Sequence, residues 1–171
     1  MTGEAFERPA DKSRSALRIH PLEVVVRPRQ YHERSIFFLL PFLVMSTIIG
    51  LGLDATDIPR IVATIERYGD RFLRRIFTSG EIAYCSRRRV PAIHFAGRFA
   101  AKEAAMKALG TGRSRGVLWR DLEVVRHGGP PQLQFHGGAG RRFAAMGGRS
   151  SLLTITHSVD LAMAQVLILG E

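Results

Sequence analysis

Cysteine is almost absent: Cys85 stands alone in 171 residues, so no internal disulfide can form and the fold must rest on packing, as suits a reducing cytoplasm. The same scarcity leaves no Cys/His cluster of the kind that holds zinc. Aromatic residues are few, 8% of the chain with one Trp and three Tyr, and they are not interleaved with basic residues as in single-strand nucleic-acid platforms. No common nucleic-acid-binding motif and no internal repeat is present, so nucleic acid is not an expected partner. Acidic residues are also short, 15 against 25 basic ones for a net charge of +10. By itself that balance favours an anionic partner, whether nucleic acid, acidic protein, nucleotide or membrane surface, without choosing among them.

Long apolar runs are lacking except for one, Ile36 to Leu53 (IFFLLPFLVMSTIIGLGL), which approaches the length of a membrane span. Pro41 interrupts it, Gly50 and Gly52 weaken it, and a charged Asp54 follows at once, so no stable membrane insertion is expected. A secretion signal fits poorly because the run begins late. Residues 1–44 mix both charge signs without a period and are expected to be a weakly structured extension, or the product of an upstream start with Met45 opening the true chain. They hold seven basic and five acidic residues, leaving 18 basic and 10 acidic in residues 45–171. The excess positive charge therefore belongs to that domain, for which a cytoplasmic location is expected.

From Met45 onward the elements follow from composition. Ser46 to Leu53 is a buried strand by its β-branched and aliphatic content, ending at Asp54. Thr56 or Asp57 can cap the helix that follows, with Pro59 in its first turn and Ile58, Ile61, Val62 and Ile65 as its buried stripe. Gly69 is expected to end it. Arg71 to Phe77 is a short basic turn, and Thr78-Ser79-Gly80-Glu81 has capping-box spacing for a helix to about Arg88. An Ala-rich helix runs from Pro91 to Leu109 and stops at Gly110. Leu122–Val125 and Gln132–Phe135 form a hairpin, a short helix spans Arg141 to Met146, and Leu152–Thr156 and Leu161–Leu169 are the last strands. The order gives an α+β fold, one long helix packed on a small, mainly antiparallel sheet.

Asp54 stands directly after an apolar strand, where a carboxylate needs a partner or a task, although an Asp at a helix start is often only a cap. In the long helix Glu103 and Lys107 are four residues apart, as are Arg98 and Lys102, a spacing equally suited to surface pairs and to a shared site. The loop Gly110-Thr111-Gly112-Arg113 carries amides, a hydroxyl and a cation, a set able to cradle phosphate. His157 closes an apolar strand. Two acids, several cations and a glycine-rich loop together suit a pyrophosphate with a hard divalent ion. The residues alone reach phosphate or nucleotide chemistry and no further.

The three blocks IIGLGLDATDIPRI, GRFAAKEAAMKALGTG and LTITHSVDLAMAQVLI, in this order and at these separations, resemble the small bacterial 4′-phosphopantetheinyl transferases, the holo-acyl-carrier-protein synthase family. The resemblance implies transfer of 4′-phosphopantetheine from coenzyme A to a serine of apo acyl carrier protein for fatty-acid biosynthesis, with release of 3′,5′-ADP. It implies a homotrimer with clefts between subunits, Asp54 and Glu103 as ligands of Mg²⁺, and Lys107 near the reacting phosphate as general base or charge stabiliser. Arg98, Lys102, Thr111, Gly112 and His157 fall where the family binds coenzyme A. Arg60, Arg71 and Arg75 fall where it docks the acidic helix of the carrier protein.

Overall fold

The computed structural model describes residues 46–112 and 114–171. The expected N-terminal extension, its alternative start at Met45 and Arg113 of the glycine-rich loop lie outside the described residues. Strand β1 (Thr47–Asp57) is followed by α1 (Ile58–Ile76), α2 (Ser79–Ser86) and α3 (Pro91–Ala108). A single 3-10 turn at Trp119–Asp121 then leads to β2 (Leu122–Val125), β3 (Gln132–Phe135), α4 (Gly137–Ala145), β4 (Ser150–His157) and β5 (Leu161–Gly170). The strands form two separate antiparallel sheets rather than one, β1-β5-β4 and the hairpin β2-β3. The α+β class and the hairpin agree with the sequence expectation to the residue at β2 and β3. Among the described residues no helix is long and apolar enough to cross a membrane; from Thr47 on, the apolar run is strand.

Two boundaries differ from expectation for local reasons. Strand β1 continues past Asp54 to Asp57, because its pairing with β5 runs on through Asp54↔Ala164, Ala55↔Met163 and Thr56↔Ala162. Asp54 therefore projects from within a paired strand and is not the helix cap; Asp57 is, accepting from the Arg60 amide at 3.1 Å. Gly69 bends α1 without ending it: at φ 49°, ψ −134° it breaks the helical path, a conformation open to glycine. The chain then resumes helix to Ile76, so the basic segment from Arg71 is a second helical arm.

Helix α3 lies at the centre of the described residues, and its alanines explain why. Ala96, Ala100, Ala101, Ala104 and Ala105 are fully buried, which lets neighbouring elements approach the helix on several sides. Strand β1 comes closest. A Cβ on Gly52 would lie 1.8 Å from the Ala104 carbonyl oxygen, and one on Gly50 would lie 2.5 Å from that of Ala108. The glycines that weakened the apolar run as a membrane span are thus the points where strand meets helix.

The period of two along β1 puts Gly52, Asp54 and Thr56 on the helix-facing side and Leu51, Leu53 and Ala55 on the other. On that outer face Leu51 (59% exposed), Leu53 (52%) and Leu152 (56%) stay in solvent within this chain. Leu51 and Leu152 both lie opposite Leu167 across the sheet.

Lys102 turns out to be a core residue. Its side chain is 0% exposed and forms a 2.8 Å ion pair with Glu81, itself 1% exposed. The Lys102 ammonium also donates to the Trp119 carbonyl at 3.0 Å and to the Leu122 carbonyl. Glu81 closes the expected capping box on Thr78 and accepts from the Val124 amide at 3.0 Å. Burial pulls the lysine pKa below its ordinary value while Glu81 pulls the other way, and three acceptors around the nitrogen hold it as an ammonium. Losing one member of such a pair strands a buried charge, at a cost of about 3–5 kcal/mol. The pair knits α2, α3, the 3-10 turn and β2 together, and it places Lys102 away from any surface where coenzyme A could reach it.

Candidate active site

Residue Asp54 on β1 and Glu103 on α3 line one cleft of about 370 Å³, together with Ala55, Arg60, Ile61, Thr64, Phe72 and Phe99. Each wall has a local cause. Gly52 lets β1 lie against α3, which brings the carboxylate two residues later over the helix. The bend at Gly69 lets Phe72 from the second arm of α1 join Arg60, Ile61 and Thr64 from the first. Phe99 is held from behind by Trp119, ring centroids 4.8 Å apart.

The Asp54 carboxylate is fixed on both oxygens. The buried Thr56 hydroxyl donates to Oδ2 at 3.0 Å, and Lys107 Nζ donates to Oδ1 at 2.9 Å and to the Leu53 carbonyl at 2.8 Å. Lys107 thus reaches across from helix to strand, a tie that four-residue helical spacing does not suggest. Thr56 was legible only as a candidate cap; its role beside Asp54 follows from alternation along a strand that continues further than expected. Glu103 is half-buried in the same cleft.

A second cluster lies around Tyr84. The guanidinium carbons of Arg88 and Arg98 each stand 4.0 Å from its ring centroid. Burial acts to raise the phenol pKa, but hydrogen bonding from Arg126 and the charges of Arg88 and Arg98 bring it below the ordinary value. Burial first, then Arg98, Arg88, His157 and Arg126, hold the His94 imidazole below its usual pKa. Arg88, Arg98 and Arg126 therefore gather around Tyr84, and Arg98, though buried, leaves its Nε without a hydrogen-bond partner among the described residues. A buried donor of that kind is suited to an anion. Arg98 and His157 were expected in the site; Arg88, Arg126 and Tyr84 were not, since the hairpin contact that brings Arg126 beside α2 leaves no local signal.

The glycine-rich loop does not present the open amides expected of it. The amide of Gly110 donates to the Lys107 carbonyl, and those of Thr111 and Gly112 donate to the Met106 carbonyl. The buried Thr111 hydroxyl donates to the Gly112 carbonyl at 3.1 Å. These groups close the end of α3, where carbonyls would otherwise be orphaned, so Thr111 and Gly112 serve the helix terminus and are not brought to the cleft. Arg60 lines the cleft, and Arg71 and Arg75 lie exposed on the second arm of α1.

A profile of the 4′-phosphopantetheinyl transferase superfamily matches residues 50–156. The holo-[acyl-carrier-protein] synthase of Koribacter versatilis is 48% identical over 122 residues, 71% of this chain and 98% of that protein. The chain belongs to the holo-acyl-carrier-protein synthase family. Its fold agrees: the crystal structure of the Neisseria meningitidis synthase superposes with a TM-score of 0.66 at 28% identity, covering 71% of this chain and 98% of that one. The Helicobacter pylori synthase in complex with coenzyme A gives 0.61 at 26% identity, covering 69% and 98%. For a member of this transferase family, the cleft between β1, α1 and α3 and the basic cluster around Tyr84 are the two features that need chemical roles.

Proposed function

We propose that Asp54 and Glu103 together hold the Mg²⁺ ion that assists transfer of 4′-phosphopantetheine from coenzyme A to a serine of apo acyl carrier protein. The observation that carries this is their presence on the walls of one cleft although they come from different elements 49 positions apart. Two carboxylates with room for phosphate oxygens and water fit a hard divalent cation, which seldom takes all its ligands from protein. Bound there, the ion would neutralise pyrophosphate charge and make 3′,5′-ADP a better leaving group.

The chain's own groups supply the rest. Thr56 orients Asp54; Arg98, Arg88 and Arg126 offer the positive charge that coenzyme A phosphates require, and His157 offers a ring nitrogen for hydrogen bonding. The serine oxygen forms a bond to the β-phosphorus as the bond to the 3′,5′-ADP oxygen breaks, and the serine proton leaves to a base. Lys107 faces two acceptors, so in this arrangement it acts as a cation rather than as that base.

Arg60 at the cleft and the exposed Arg71 and Arg75 on the second arm of α1 are suited to orient the acidic helix of the carrier protein. Arg71→Glu is expected to raise the KM for carrier protein at least about tenfold at low salt with little change for coenzyme A; equal changes for both would remove the docking role. The outer leucines of the sheet, Leu51, Leu53 and Leu152, are the face proposed to meet other copies in a homotrimer, and a monomer in sedimentation equilibrium would refute it. A cytoplasmic location accords with the single cysteine, buried with its pKa pushed up to about 11.

The direct test is mass spectrometry of apo acyl carrier protein incubated with the protein, coenzyme A and Mg²⁺. A gain of one phosphopantetheine that disappears with chelator is expected. A gain independent of any divalent cation would overturn the metal assignment.

A further inference from the structure

The Asp54 carboxylate, which lines the cleft, already carries a cation, the Lys107 ammonium. Its two partners differ in kind. Thr56 is buried, and its short side chain sits two residues away on the same face of the same strand. Lys107 is half exposed and spans from α3 on a flexible four-carbon stem. If a divalent cation approaches the carboxylate, Thr56 has nowhere else to go, whereas Lys107 can swing into solvent or toward an anion in the cleft.

Residue choice supports the same division. The described residues contain two lysines, Lys102 and Lys107, and every other Lys/Arg position is arginine. Lys102 is locked in the core by Glu81 and two carbonyls. At Lys107, facing solvent, the chain uses the side chain that binds a carboxylate through one compact ammonium. An arginine there would grip both oxygens with its planar fork.

We propose that Lys107 is a displaceable internal counter-ion of Asp54: it balances and positions the carboxylate in the metal-free protein and yields that place when a divalent cation binds. The proposal rests on the assignment of Asp54 as a metal ligand. An ammonium on a ligand oxygen competes directly with a second cation for the same charge. Lysine at this position therefore weakens cation binding while keeping the free carboxylate in place.

The test is direct binding of Mn²⁺ alone to the full chain, read by loss of its free-ion EPR signal, in wild type, Lys107→Met and Lys107→Arg. Lys107→Met is expected to tighten Mn²⁺ binding at least about threefold, and Lys107→Arg to weaken it by a similar factor. Because the side chain is half exposed, both variants should keep the wild-type circular dichroism spectrum. Wild type without measurable binding alongside a Met variant that binds would support the proposal equally. Binding unchanged, weakened or absent in Lys107→Met would overturn it. Asp54→Asn and Glu103→Gln, each made in whichever parent binds Mn²⁺ measurably (wild type or Lys107→Met), separate the two levels: if either binds Mn²⁺ like that parent, the metal assignment itself fails. If both lose binding while Lys107→Met gains none, only the counter-ion role is lost.

Discussion

Asp54→Asn and Glu103→Gln are each expected to lower the turnover of phosphopantetheine transfer by on the order of 10³-fold, with a thermal midpoint close to wild type. Both substitutions keep side-chain shape. The amide that replaces the Asp54 carboxylate can still accept through its oxygen, so a local hydrogen bond survives while the charge that attracts a divalent cation does not. The loss should appear in kcat and should resist added coenzyme A, because electrostatic stabilisation of the transferring phosphoryl group acts mainly in the transition state. Turnover within a few-fold of wild type in either variant would show that the cleft is not the reaction centre. Collapse of the thermal midpoint would instead assign the residue a structural role.

Gly52→Ala is expected to be as damaging to function by a different route. The added methyl would stand 1.8 Å from the Ala104 carbonyl oxygen, and a backbone atom in the middle of a buried helix cannot step aside. Strand β1 must move off α3, at a cost on the order of 3 kcal/mol or more by the overpacking of a tight contact. Since Asp54 is two residues along the same strand and Lys107 reaches it from the same helix, the displacement also separates the groups of the cleft. Urea unfolding and transfer activity should both fall. Gly129→Ala, where nothing lies within 4 Å of an added methyl, should change neither. A Gly52→Ala protein as stable as wild type would contradict the close approach of β1 to α3.

How far these groups could be located beforehand depended on the range of the forces involved. The capping box at Thr78 and Glu81, the β2–β3 hairpin and the Ala-rich helix were legible because each is decided within a few residues, by a cap, a turn or a helix propensity. Glu81 was legible only in its local half: its second task, pairing with Lys102, joins residues 21 apart. Lys102 itself, in a segment that reads as a charged helix face, was expected at a ligand and is instead the buried centre of four elements. The loop after α3 reads two ways for a related reason, since an amide that can greet a phosphate can equally cap a helix. Only the positions of the Lys107 and Met106 carbonyls decide between them.

The sequence by itself determined the α+β element order and the family, and singled out Asp54 and Glu103 as the acids proposed to carry the chemistry, because strand and helix periods and the three ordered blocks are properties of the chain taken in line. Tertiary structure alone decided which acid each lysine pairs with. Side chains separated by tens of residues meet only where backbones pack, and here that packing is β1 drawn against α3 through Gly52. The contact gives Lys107 to Asp54 and withholds Lys102. The burial that places Arg98 against Tyr84 then leaves its Nε without a hydrogen-bond partner among the described residues.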